Sequence, residues 1–124
     1  MDASVAFLAL IGDRDARRWL ADGDVNLPHL ADSELTQTLR RHVATGALTA
    51  SAGSRALDAW ARLELRRHGA RHLLGRIWAL RETVTAYDAT YVALAEALDC
   101  PLVTADRRLA DAPGPTCAMV VVGS

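Results

Sequence analysis

Asp2, Glu34, Asp88 and Asp106 are the residues of this 124-residue chain whose type and setting most clearly suggest chemistry. Each stands beside an apolar strand-like run or inside a short apolar helix. The contexts are Met1-Asp2-Ala3-Ser4, Asp32-Ser33-Glu34-Leu35, Thr85-Ala86-Tyr87-Asp88 and Leu102-Val103-Thr104-Ala105-Asp106. Four carboxylates gathered by one fold cannot all stay ionised without a cation. Hard, oxygen-preferring ions such as Mg²⁺ are the natural partners of such a cluster. Metal-assisted hydrolysis of a phosphodiester is the leading function on that ground.

No acid is specific alone. Asp2 suits an N-cap before the apolar run that follows, and Glu34 suits a solvated helix face. Asp88 follows Thr85 at capping-box spacing, and Asp106 can cap the helix after its strand. Topology carries the argument instead. In open α/β sheets, ligands bind beyond the carboxyl ends of the strands. Asp106 is put there by the strand before it, and Asp88 by the helix leading into that strand.

The elements that must do this positioning can be read from periodicity and punctuation. Val5 to Leu10 reads as a short buried helix stopped by Gly12, and Asp13 to Ala21 as a second helix closed by Gly23. Val25-Asn26-Leu27 is a short strand candidate ended by Pro28. His29 to Ala44 is helical, with Leu35, Leu39 and Val43 at a spacing of four. Thr49 to Ala61 is the next helix, and Leu63-Glu64-Leu65 a strand candidate after it. His72 to Arg81 carries Leu73, Ile77 and Leu80 on one stripe. Thr85 to Leu98 is an alanine-rich helix. Pro101 to Thr104 is a buried strand, Asp106 to Ala110 a helical turn, and Met119 to Val122 a last strand. Short apolar strands alternating with helices predict one α/β domain over 1–124, with a parallel sheet covered on both faces.

Composition narrows the function classes. The chain is 51% hydrophobic and 23% charged, which excludes a disordered segment. Its formal net charge of −1 gives no global basic field for nucleic acid. All fourteen basic residues are arginine, a side chain that pairs bidentately with phosphate. Cys100 and Cys117 are too few for a disulfide scaffold and read as small hydrophobes in a reducing compartment. The apolar run Val5 to Ile11 is too short to span a membrane and follows an acid rather than a basic segment. A soluble, cytoplasmic protein with no membrane partner is expected.

Thr85–Leu98, Thr-Ala-Tyr-Asp-Ala-Thr-Tyr-Val-Ala-Leu-Ala-Glu-Ala-Leu, is followed by Pro-Leu-Val-Thr-Ala-Asp-Arg-Arg-Leu over Pro101–Leu109. The pair closely resembles PIN-domain ribonucleases, and nearest to them the VapC toxins of bacterial toxin–antitoxin pairs. Asp-Ala-Ser (Asp2–Ser4), Pro-His-Leu-Ala-Asp-Ser-Glu-Leu (Pro28–Leu35) and Arg-Ile-Trp-Ala-Leu-Arg (Arg76–Arg81) match in the expected order. The resemblance implies a three-layer α/β/α domain with a short, mostly parallel central sheet. It implies an acidic site of Asp2, Glu34, Asp88 and Asp106, with Thr104 as a polar neighbour. Asp2, Asp88 and Asp106 would be the direct or water-mediated metal ligands. It also implies Mg²⁺ or Mn²⁺, an RNA substrate and a small antitoxin protein. Such domains begin with a few β-branched apolar residues before the first acid. Only Met1 precedes Asp2 here, so a truncated first strand is expected.

Ser4 could hydrogen-bond the acids or cap the first helix. Arg40, Arg41, Arg66 and Arg67, with Arg71, are candidate phosphate contacts, although solvated faces also explain them. Asp32 is read as a surface acid facing away from Glu34, and Asp99 and Asp111 as loop or helix-end acids. The four histidines show no metal-ligand spacing. Trp19, Trp60 and Trp78 are expected in the core or at an interface. An antitoxin could place an arginine among the acids, its tail running along an apolar groove between helices Asp13–Ala21 and His29–Ala44, anchored at Trp19. A homodimer with two-fold symmetry is expected. The alternative reading is a catalytically impaired PIN-like module that only binds a partner. Serine hydrolase chemistry lacks a Gly-x-Ser-x-Gly elbow, and an aspartyl-phosphate site would want a lysine, of which the chain has none.

Overall fold

Four three-residue strands organise the chain, and all of them pair parallel. In the computed structural model, which describes residues 1–21 and 23–123, the elements run in the following order. Helices α1 (Ala3–Leu10) and α2 (Arg14–Ala21) precede strand β1 (Asn26–Pro28). Helices α3 (Leu30–Ala44) and α4 (Ala50–Arg62) lead to β2 (Arg66–His68). A 3₁₀ turn (Arg71–Leu73) opens into α5 (Leu74–Ala79), then α6 (Ala86–Ala97) and β3 (Leu102–Thr104). Helix α7 (Arg107–Asp111) and β4 (Met119–Val121) follow.

β1 pairs with β2, Asn26 opposite Arg66, and β3 pairs with β4, Leu102 opposite Met119. Parallel neighbours need a crossover, and helices supply both. α6 packs against β1 and β3 alike, while α1 and α7 lie on β3 and α3 lies on β1. The result is the expected three-layer α/β/α arrangement, with the strand layer split into two separate parallel pairs. No strand precedes α1 among the described residues. Asp2 N–H donates to Val103 O (3.0 Å), and Met1 sits between the β1 end at Asn26 and Pro28 and the β3 end at Leu102.

The core explains why α6 is so apolar. It buries Ala89 through Ala95 in succession because both strand pairs press on it. Leu27, Leu35, Leu39, Trp60, Leu73, Ile77, Leu80 and Leu102 belong to the main cluster, which includes the stripe expected from Leu73 to Leu80 and, of the stripe expected on α3, Leu35 and Leu39 but not Val43. No described helix is long and apolar enough to cross a membrane.

Several local expectations are corrected. The second strand is Arg66–His68, and Leu63–Leu65 is the connection into it. The helix expected from His72 to Arg81 is a 3₁₀ turn and then only six α-helical residues. α1 packs against both α2 and α3, the helices between which a groove is expected. Of the tryptophans, Trp60 is buried, whereas Trp19 and Trp78 are 38% and 67% exposed.

Candidate functional site

α1, α3, α6 and the turn after β3 meet around an open cleft of about 550 Å³, and Asp2, Glu34, Asp88 and Asp106 all line it. Each arrives by a local rule. Asp2 is the N-cap of α1: its Oδ1 accepts from Ser4 N–H (3.1 Å), Val5 N–H (3.3 Å) and the Ser4 hydroxyl. Asp106 caps α7 through Arg108 N–H (2.9 Å), directly after the β3 strand. Thr85 caps α6 by accepting from Asp88 N–H (3.1 Å), which sets Asp88 in the first turn. Glu34 lies in the second turn of α3, beside the buried Leu35. Caps and site therefore coincide, and the residue types that end helices here also furnish the carboxylates.

Asp2 and Thr104 are the floor. Asp2 is 5% exposed and Thr104 is fully buried. The Thr104 hydroxyl donates to Asp2 Oδ2 and accepts from Asp106 N–H (3.0 Å), while Ser4 Oγ accepts from Ala105 N–H (3.0 Å). Two residues a hundred positions apart are thereby held in one network. A buried polar network of this kind is stable only when every member is partnered. No buried side-chain nitrogen or oxygen lacks a partner among the described residues.

The walls are electrostatically uncomfortable. Burial pushes the Asp88 carboxyl above the ordinary carboxylate range, and the charges of Asp2 and Asp106 push it further. Burial likewise raises Glu34, the charges of Asp88 and Asp2 add to this, and the Tyr91 hydroxyl opposes it by donating to Glu34 Oε1 at 2.6 Å. The Tyr91 hydroxyl is itself raised far above its usual value, by burial first and then by that bond. Tyr91 was missed in the sequence because it reads as one more apolar residue of α6. Its spacing of three from Asp88, on the same helix face, was the available signal.

Two of the acids on α3 have opposite fates. Asp32, expected as a surface acid, accepts from Trp60 Nε1 (2.7 Å) and from Arg67 Nε (2.7 Å) and Nη2 (2.9 Å). The guanidinium beside it holds its carboxyl below the usual range. Arg67 is thereby committed to a structural bond, and Arg66 stands 3.6 Å from Asp24. Neither Arg66 nor Arg67 lines the cleft, nor do Arg40 and Arg71. Of the candidate phosphate contacts only Arg41 does.

The donor set can be tested for a divalent ion. Among the described residues, no three His, Cys, Asp or Glu side chains stand close enough to close a cage on one ion. Mg²⁺ does not ask for that. It is held by one or two carboxylates, keeps several waters and takes oxygens from a substrate phosphate. Asp88 has no basic side chain within ion-pair distance among the described residues, and the charges of Asp2 and Asp106, which add to the effect of burial on its carboxyl, are what a cation would offset. The residues fit such an ion.

The sequence compares as follows. The profile of the PIN domain family matches residues 1–115. The chain is 48% identical over 122 residues to the VapC ribonuclease Mb0985 of Mycobacterium bovis and to ribonuclease VapC9 of Mycobacterium tuberculosis. These matches cover 98% of this chain and 96% of each relative. It is 42% identical over 128 residues to ribonuclease VapC1 of Mycobacterium tuberculosis, with the same coverage. The crystal structure of PAE2754 from Pyrobaculum aerophilum superposes with a TM-score of 0.72 over 97% of this chain and 81% of that one. At 24% identity that likeness concerns the fold.

Proposed function

This chain belongs to the PIN domain family, in its VapC-type branch, and on that premise we propose that it is a metal-dependent endoribonuclease, the toxin of a toxin–antitoxin pair. It hydrolyses phosphodiester bonds of RNA in the cytoplasm, at the cleft of Asp2, Glu34, Asp88 and Asp106. The observation that supports this best is that Asp2, Glu34, Asp88 and Asp106 all line one open cleft, where burial first and then the charges of Asp2 and Asp106 raise the Asp88 carboxyl.

Asp88 and Asp106 are the side chains that hold Mg²⁺ or Mn²⁺, with Asp2 behind them. Asp2 Oδ2 has one hydrogen bond, from Thr104, and a carboxylate oxygen accepts two. When bound, the ion neutralises charge on the phosphate and acidifies a bound water toward neutral pH. Glu34, fixed by the Tyr91 hydroxyl, would be the carboxylate that orients the attacking water and accepts its proton, a role suited to a carboxyl raised above its ordinary value. Ser4 and Thr104 keep Asp2 in place. A small antitoxin silences the site by putting an arginine where the cation sits, and the toxin acts as a homodimer.

A second reading, a catalytically impaired interaction module, draws on Asp2. Both of its oxygens are already engaged by α1 and Thr104. Incubating the purified chain with RNA separates the two. Cleavage that stops in EDTA and returns with Mg²⁺ or Mn²⁺ is expected, as is its suppression by the co-expressed product of an adjacent small gene. Cleavage indifferent to chelation would reject the metal mechanism, and no cleavage together with no Mn²⁺ binding would establish the interaction module.

A further inference from the structure

The acids occupy one end of the cleft only. At the other end α3 presents a continuous face. Glu34, Gln37, Thr38 and Arg41 all line the cleft, at the i, i+3, i+4, i+7 spacing of one helical stripe. Seven residues carry this stripe about 10 Å along the helix axis. Phe7 of α1 belongs to the same lining and packs against α3, its ring 4.4 Å from that of His42.

The stripe is chemically graded. Glu34 is bound to Tyr91, and the Thr38 hydroxyl is spent on Glu34 O (3.0 Å). Gln37 and Arg41 are exposed, and neither side chain has a hydrogen-bond or ion-pair partner among the described residues. Arg66, Arg67, Arg76 and Arg108 all face carboxylates instead. Arg41 is thus a free, forked cation looking into a cleft whose other end is acidic. Its geometry suits a phosphate, which takes two parallel N–H donors. Gln37, between the two ends, offers both a donor and an acceptor, the combination that reads a base edge. Phe7 adds an apolar surface to the same lining.

Building on the ribonuclease reading, we propose that this face of α3 seats the nucleotide next to the cleaved bond: Arg41 binds the phosphate flanking the scissile one, and Gln37 contacts the base between them. Cleavage efficiency then depends on a phosphate the reaction does not touch, and part of the sequence preference resides at Gln37.

The test uses two RNA substrates, a dinucleotide with a single phosphodiester and an oligonucleotide with flanking phosphates. The wild type should favour the oligonucleotide in kcat/KM. Arg41→Ala should lose about tenfold on it, through KM, and leave the dinucleotide unchanged, while Arg41→Lys should keep part of the advantage. The salt dependence of oligonucleotide binding, measured by anisotropy without divalent ions, should fall by about one unit of slope in Arg41→Ala. Gln37→Ala should redistribute the cut sites on a mixed-sequence RNA. Equal losses on both substrates, or none, would overturn the proposal while leaving the nuclease reading intact. Absence of cleavage with Arg41-dependent binding retained would do the reverse.

Discussion

The two ends of α6 show how one residue type serves two purposes. At its start, Asp88 has acids for neighbours and its carboxyl is pushed up by burial and by their charge. At its end, Glu96 has Arg76, with Nε and Nη2 donating at 2.7 and 3.0 Å. Thr116 adds two more donors, and the same guanidinium reaches Gly114 O. Arg76 first, with help from Thr116, lowers Glu96 to about 2. The two carboxylates lie on one helix, eight residues apart. One ties α5, α6 and the approach to β4 together. The other is held in an environment that does not suit it. α3 repeats the lesson at shorter range, with Asp32 satisfied by Arg67 and Trp60 and Glu34 crowded by acids. A satisfied carboxylate stabilises the fold, whereas a crowded one is available to a ligand.

The largest contrast should come from exchanging the two acids in one cleavage assay. Asp88→Asn removes the proposed metal ligand without opening a cavity, so RNA cleavage should fall by about 100-fold or more. The folded state should be as stable as the wild type or slightly more so. Glu96→Gln should do the opposite, costing about 2 kcal/mol in urea denaturation while the folded protein still cleaves. The difference in pH dependence follows from the signs. Glu96 is depressed when folded, so its stabilisation is present above the unfolded carboxylate range and is lost as pH falls from about 4.5 towards about 2. Glu34 and Asp88 are raised when folded, so their contribution is lost as pH rises through and above the ordinary carboxylate range. Equal effects of the two substitutions on cleavage would break the comparison.

A smaller effect concerns ligand linkage. Mn²⁺ should raise the melting temperature at pH 7, and the gain should shrink towards pH 4 as the cleft acids take up protons. Asp88→Asn should abolish most of that gain and Glu96→Gln none of it. A metal-induced shift that survives Asp88→Asn would place the ion elsewhere.

The smallest change tests the donor that softens the cleft wall at Glu34. Tyr91→Phe removes the hydroxyl bound to Glu34, which opposes the rise of its carboxyl. The acid limb of the kcat/KM profile should move to higher pH, with a loss of about tenfold or less at neutral pH. An unmoved limb would separate Glu34 from proton transfer.

What could be read from the sequence was local. Helix ends announced themselves through Thr49, Thr85 and Gly12, and the segment from Thr85 to Asp106 carried both its helix–strand pattern and two of the acids. What could not be read was set by partners far along the chain. Asp32 is a surface acid as expected, its side chain 42% exposed, but its partners Trp60 and Arg67, 28 and 35 positions away, leave no mark near it in the sequence. β2 was misplaced because Arg66-Arg67-His68 has none of the apolar alternation that marks a strand. It lies at the end of a strand pair, where charged residues are tolerated. Tyr91 was hidden because a residue whose ring is core and whose hydroxyl is site shows only the first role in a hydropathy pattern.

The bond between Asp2 and Thr104 joins positions 102 residues apart, and Asp106 lies just beyond. Ribosomes add about 5–20 residues each second, so roughly 5–20 s separate the emergence of the first acid from that of the last. Throughout that interval the nascent chain has Asp2 and Glu34 but no cleft. The four-acid cleft can therefore form only after Asp106 has been made, and the acids contributed early wait, without a site, for the late ones.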